Sequence, residues 1–341
     1  MPRVPDRYDR PLRNLRLSVT DRCNLRCSYC MPEAEYVWLP KSDVLTYEEM
    51  HRIVRVFVGL GVDKVRLTGG EPLLRTDVET LVRMLAAEPE VRELAMTTNG
   101  VLLAERAVAL REAGLDRLTI SLDTLDADTF RLLSRRDDLA RTLAGIDAAR
   151  AAGFADLKLD TVVIAGVNDG ELPRLLDYAR GIGAEVRFIE YMDVGGATHW
   201  RADRVVSRAT MLERLSASHG TIETIPRTDS APAERFRLSD GTTFGIIASV
   251  TQPFCATCDR ARVTADGMWF TCLYATQGTN LRDLLRSGAS DEQLAAALRD
   301  CWTARNDRGA ELRAATPDRK PLADAGDLRG NPHLEMHTRG G

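Results

Sequence analysis

The chain has 341 residues, 44% of them hydrophobic and 28% charged, with a formal net charge of −4. That size and composition describe a soluble globular chain of one large or two ordinary domains, with no global charge excess to attract nucleic acid or an anionic membrane. An anionic ligand must therefore be met by a local basic cluster. The first ten residues, MPRVPDRYDR, lack the apolar core of a secretory signal, and no apolar run approaches a membrane span. Seven cysteines in such a chain read as metal or redox ligands in a reducing cytoplasm rather than as a disulfide framework.

From residue 15 to 191 a short β-branched or apolar run repeatedly precedes a turn and a stretch of helical period. The strand-like runs are LRLSV (15–19), KVRLT (64–68), LAMTT (94–98), RLTIS (117–121), LKLDTVVI (157–164) and EVRFIEY (185–191). YEEMHRIVRVFVGLG carries apolar residues at 50, 53, 54, 57 and 58, and ERAVALREAGL closes on Gly114. Alternating strand and helix predicts right-handed βαβ units and a parallel sheet. Six such units make either an incomplete eight-fold barrel or a flat doubly wound sheet. The residues with chemistry follow strand ends, the rim where parallel α/β folds bind ligands. Cys23 to Cys30 follow the first strand, TGGEP the second, TTNG the third and SLDTLD the fourth.

After residue 192 the rhythm changes. DVGGATHW leads into the helical SRATMLERLSAS, then a polar segment (224–233), a second cysteine group, and helical stretches at 279–287 and 291–304. The expected division is 1–191 as the α/β unit, 192–330 as a C-terminal domain packed against the open sheet, and 331–341 as a tail.

TDRCNLRCSYCMP spaces Cys23, Cys27 and Cys30 as C-x3-C-x2-C. Three thiolates on one loop reach three irons of a cubane and leave the fourth open, as a catalytic metal centre requires. A structural zinc completed by a distant ligand is the alternative. In LTGGEP, two glycines let the backbone approach a ligand, and Glu71 offers an acceptor to an ammonium group. FCATCDRARVTADGMWFTC gives a second set, Cys255, Cys258 and Cys272, for which Cys301 is a candidate fourth ligand. Arg260 and Arg262 point to one side if extended, which suits phosphate.

The CxxxCxΦC spacing with Tyr29 before the last cysteine, joined to the GGE loop, resembles the radical S-adenosylmethionine (SAM) enzymes. With FCATCDRARVTADG, VRLTGGEPLLR, TTNG, SLDTLD, VRFIEYMD and the terminal Gly-Gly, nearly the whole chain resembles the GTP 3′,8-cyclase (molybdenum cofactor biosynthesis protein A) family. The resemblance implies an incomplete (β/α)6 TIM-like barrel closed by a C-terminal iron-sulfur domain, with two 4Fe-4S clusters. The cluster on Cys23, Cys27 and Cys30 would cleave SAM, and that on Cys255, Cys258 and Cys272 would bind the guanine of GTP. The deoxyadenosyl radical would remove the ribose 3′ hydrogen, and ring closure would give 3′,8-cyclo-7,8-dihydro-GTP for cyclic pyranopterin monophosphate synthase. Residue by residue, Tyr29, Gly70, Ser121 and Met192 match SAM contacts. Arg16, Arg66, Thr97, Lys158, Arg260, Ala261 and Arg262 match GTP contacts, and Gly340 and Gly341 match a tail that reaches the active site. An unspecified electron donor is implied, and a homodimer is compatible with the resemblance. Two departures stand out: Asp259 where Asn is expected, and a polar MHTRGG lead into the glycines. The rival readings are another radical SAM enzyme with an auxiliary cluster, acting on a peptide or inserting sulfur, and a zinc-stapled binding protein.

Overall fold

A computed structural model describes residues 3–340. The six expected strands, β1 (Asn14–Ser18), β2 (Lys64–Thr68), β3 (Glu93–Thr98), β4 (Arg117–Ser121), β5 (Lys158–Val163) and β6 (Glu185–Glu190), pair in chain order. Every one of these pairings is parallel. Helices α1 (Tyr47–Gly59), α2 (Val78–Ala86), α3 (Leu103–Glu112), α4 (Ala127–Ser134), α5 (Leu139–Ala151) and α6 (Leu172–Gly181) form the crossovers. Thr46 and Glu49 close a capping box at the start of α1, whose stripe Met50, Ile53, Val54, Phe57 and Val58 is buried, as its period predicts.

The C-terminal half does more than pack against this sheet. After α7 (Arg208–His219) come β7 (Ile222–Ile225), β8 (Glu234–Leu238), β9 (Thr243–Ile247), β10 (Arg260–Val263), β11 (Met268–Phe270) and β12 (Thr279–Asn280). β9 joins β6 and β10 joins β1, both parallel, so eight parallel strands run β10-β1-β2-β3-β4-β5-β6-β9. The other four are antiparallel edges, and β9 and β10 are not hydrogen-bonded neighbours, which leaves the barrel open between them.

Strand alternation sorts the side chains. Leu15, Leu17, Val65, Leu67, Met96, Ile120, Leu159 and Phe188 face the helices and are fully buried in the main core. The opposite faces carry Asn14, Arg16, Lys64, Arg66, Thr97, Thr119, Lys158, Asp160 and Arg187, all of which line one central cavity. Barrel interiors of this kind are normally filled by Val, Ile and Leu in layers. Here charged inward residues keep the interior hollow, with a volume of ≈ 1070 Å³.

The chain's first residues tie its C-terminal half to β1. Asp6 is buried and accepts from Arg10 Nε at 2.6 Å and from Arg305 Nη1 at 3.2 Å, just beyond α9 (Asp291–Thr303). Arg10 Nη1 in turn donates to the Cys255 and Asp307 carbonyls at 2.9 and 2.8 Å. Removing one member of a buried charged triad strands the others. Asp6→Ala is therefore expected to lower stability by about 3–5 kcal/mol, read from the urea midpoint; an unchanged midpoint would contradict the tie.

Candidate active site

Cys23, Cys27 and Cys30 sit on the loop after β1, and Cys255, Cys258 and Cys272 flank β10 and β11; all six line the central cavity. Burial, followed by Asp123 and the neighbouring Cys23 and Cys30, holds the Cys27 thiol well above its usual value. Burial and then Glu71 push Cys23 up to about 11. Each group also has donors aimed at sulfur: in the first, Asn99 Nδ2 lies 3.9 Å from Cys23 Sγ. In the second group, burial alone would raise Cys258, but Arg260 and Arg305 bring it down to about 6, and Arg305 Nη2 lies 3.5 Å from its sulfur. Tyr274 N donates to Cys272 Sγ at 3.5 Å, and the amides of Ala310 and Glu311 reach Cys255.

Three thiols with N–H donors around them and no fourth cysteine suit a cubane with one open iron. Cys301 is placed elsewhere: it is not on the cavity, and its sulfur lies 3.8 Å from Thr279 Oγ1. Among the described residues, no three His, Cys, Asp or Glu side chains are drawn together as one metal ion would require.

The loop after β2 fits tightly against the first cysteine loop. A Cβ on Gly69 or Gly70 would fall 2.4 Å from Thr20 O or 2.3 Å from Arg22 O, so both positions require glycine. Gly70, Tyr29, Ser121 and Met192 all line the cavity. Glu71 does not. Its carboxylate accepts from Leu73 N (3.0 Å), Thr98 Oγ1 (2.7 Å) and Asn99 N (2.7 Å), and burial pushes it up to about 7. These bonds join the loops after β2 and β3 through the Glu71 carboxylate. Asp123, which the sequence reading did not single out, accepts from Tyr29 OH at 2.6 Å and from Val162 N at 2.8 Å, and so fixes the ring beside Cys27 and Cys30.

Across β10, β1 and β2 the register sets Arg262 beside Arg16 and Arg16 beside Arg66. Neighbouring strands lie roughly 4.8 Å apart, so three guanidiniums stand in one row. Burial, then Arg262, Arg66 and Arg260, pulls Arg16 well below its ordinary value. Burial and then Arg260 bring Arg262 down to about 10. Arg66 Nη1 donates to Thr97 Oγ1 (3.2 Å) and Thr119 Oγ1 (2.9 Å), which distinguishes Thr97 from its neighbour Thr98 on Glu71. Lys158 and Arg187 extend the basic wall, and Asp160 is the carboxylate set among them. Arg187 and Asp160 were legible from alternation in β5 and β6, since each shares the inward parity of Lys158 or its neighbour.

Arg260 and Arg262 share a face, as expected, but divide their contacts. Arg260 binds Cys258 and stacks on Phe254 (4.7 Å), whereas Arg262 Nη1 donates to Gly340 O at 2.7 Å. Ala261 alternates away into the core and is fully buried, so its side chain does not line the cavity. Asp259 is also tied down, accepting from Asn14 Nδ2 (2.6 Å) and Ser230 Oγ (2.5 Å). The tail from Leu334 to Gly340 is buried apart from Met336 and closes over the cavity; Gly341 lies outside the described residues.

Residues 17–179 match the Radical SAM superfamily, and residues 184–311 match the Molybdenum Cofactor Synthesis C family. Streptococcus suis SuiB bound to S-adenosylmethionine shares the fold, with a TM-score of 0.62 at 15% identity, covering 90% of this chain and 68% of that one. Fold and cysteine loops together make this a radical SAM protein. GTP 3′,8-cyclase 1 of Mycobacterium tuberculosis is 54% identical over 343 residues, spanning 99% of this chain and 96% of that protein. The GTP 3′,8-cyclases of Acidothermus cellulolyticus and Xanthomonas axonopodis pv. citri are 51% and 46% identical, covering 98% and 94% of this chain and 95% and 97% of theirs. The chain belongs to the GTP 3′,8-cyclase family.

If the two triads hold separate cubanes, Cys30→Ala and Cys272→Ala each lower the iron content of anaerobically reconstituted protein from about eight to about four per chain. Full iron in either variant would contradict the division of donors.

Proposed function

We propose that this chain is a GTP 3′,8-cyclase of molybdenum cofactor biosynthesis, with the nucleotide and SAM in one cavity between two cysteine triads. The observation that carries this reading is the row Arg262, Arg16 and Arg66, a concentration of buried and half-buried positive charge on the cavity wall of a chain whose net charge is −4. A triphosphate is the ligand that relieves it.

Cys23, Cys27 and Cys30 would hold one 4Fe-4S cluster, and Cys255, Cys258 and Cys272 the other. When bound, these groups and SAM supply an electron and a deoxyadenosyl radical for removal of the ribose 3′ hydrogen and closure onto guanine C8, giving 3′,8-cyclo-7,8-dihydro-GTP. The chain's own residues orient and enclose. Arg16, Arg66, Lys158 and Arg262 bind phosphate oxygens, while Thr97 and Thr119 hold the Arg66 plane in place. Tyr29, held by Asp123, packs beside the first triad, and Gly70, Ser121 and Met192 complete the SAM side of the wall. The Gly340 carbonyl on Arg262 fixes that guanidinium and covers the cavity against water.

A SuiB structure bound to the precursor peptide SuiA has the same fold at 14% identity, a likeness of fold alone, and a peptide would leave the arginine row without a counter-charge. Seven unpaired thiols suit a reducing cytoplasm. The reductant is a one-electron donor, and the product passes to cyclic pyranopterin monophosphate synthase.

Anaerobic protein with both clusters, SAM, a reductant and GTP should form 5′-deoxyadenosine together with a cyclised nucleotide. Arg16→Ala should weaken GTP binding about 10- to 100-fold, the loss of one charge-assisted contact worth about 1.5–3 kcal/mol. Equal deoxyadenosine formation without GTP, or an unchanged affinity in Arg16→Ala, would contradict the assignment.

A further inference from the structure

A chain terminus ordinarily frays unless something ties it down. Here residues 337–340 are buried, although MHTRGG offers little apolar surface. Three contacts hold it. The His337 ring packs edge-on to Tyr36 (5.3 Å) and Trp38 (5.6 Å). The Gly340 carbonyl accepts from Arg262. Between them lies Arg339, whose side chain is 1% exposed.

Among the described residues Arg339 forms no ion pair. Its guanidinium lies on the Phe270 ring, 4.2 Å from the centroid, and donates from Nη1 to Leu273 O at 2.7 Å and from Nε to His333 O. Both acceptors are themselves anchored: Leu273 directly follows Cys272, and the His333 ring is bonded to Asp266 Oδ2 at 2.7 Å. A planar cation with divergent donors can stack on an aromatic ring and bridge two carbonyls at once, which an ammonium cannot. The next residue has little freedom. Gly340 has φ +67°, and a Cβ there would fall 1.8 Å from Thr68 Oγ1, so its carbonyl position follows from where Arg339 is held.

We propose that Arg339 is a positioning residue: seated on Phe270 and between the Leu273 and His333 carbonyls, it holds the tail so that the Gly340 carbonyl stays on Arg262. This rests on the reading of Gly340 as part of the active site. The polar lead into the glycines is thus an anchor in its own right, replacing apolar burial with a stacked cation. It also links the tail to the loop that carries Cys272.

The test uses anaerobic, two-cluster protein bearing Arg339→Lys, Arg339→Gln or Phe270→Leu, alongside a deletion of residues 340–341. Iron content should match the unaltered protein in both Arg339 variants. Amide exchange at residues 338–340 should rise at least about tenfold, and kcat for cyclised nucleotide should fall about 100-fold, the scale of a misplacement of about 1 Å. The 5′-deoxyadenosine formed per cyclised nucleotide should rise, and Lys should not rescue. Phe270→Leu should shift the same tail amides in the same direction. Wild-type exchange and kcat in both Arg339 variants would overturn the proposal, as would a mobilised tail with kcat unchanged. If the deletion abolishes turnover while both Arg339 variants behave as wild type, the anchor alone fails. If the deletion leaves kcat unchanged, the active-site reading of the tail fails, and the proposal with it.

Discussion

Like charges held side by side inside a barrel are the constraint around which this molecule is organised. Parallel pairing of β10, β1 and β2 fixes Arg262, Arg16 and Arg66 at one level of the cavity wall, where partial burial weakens the screening of like charges by water. A filled aliphatic interior would be more stable on its own. The cost is met by the outer layer, where Leu15, Leu17, Leu67 and Ile120 bury completely against the helices. It is also met locally by neutral acceptors, Thr97 and Thr119 on Arg66 and Gly340 on Arg262. Two further parallel strands, β9 and β10, widen the basic wall, and β10 brings one of the row's three arginines with it.

The cysteine loops depend on the same strands. β1 delivers the first triad at its C-terminal end and Arg16 from its middle, so the first cysteine loop and the arginine row share one scaffold element. At the second triad, Arg260 and Arg305 favour the thiolate at Cys258, and Arg305 is itself paired with Asp6. Asp6 thus supports the second cysteine group from outside the cavity wall. Glu71 plays a comparable part at the first, spending its carboxylate on the geometry of the loops that surround Cys23.

The first six strands and the helix α1 were legible because period and turn chemistry agree along that half of the chain. The C-terminal strands were not. TFGII contains a glycine and follows a polar run, and RARV reads first as a pair of cations, so their parallel union with β6 and β1 shows only in three dimensions. For the site, spacing revealed the cysteines and alternation placed Arg260 and Arg262 together. What spacing cannot reveal is how a lone pair is used. The three donors on Glu71 come from residues 73, 98 and 99, and Ala261 does not share the inward parity of Arg260 and Arg262. The tail was least legible, since polar residues that bury through stacking and carbonyl contacts resemble an exposed terminus.

The central claim is that the arginine row exists for a triphosphate. It is tested most directly by calorimetric titration of the anaerobic two-cluster protein with guanosine, GMP, GDP and GTP at fixed ionic strength. Affinity should climb with each added phosphate, and the GTP value should fall with rising salt. Equal affinity for GMP and GTP would contradict the account.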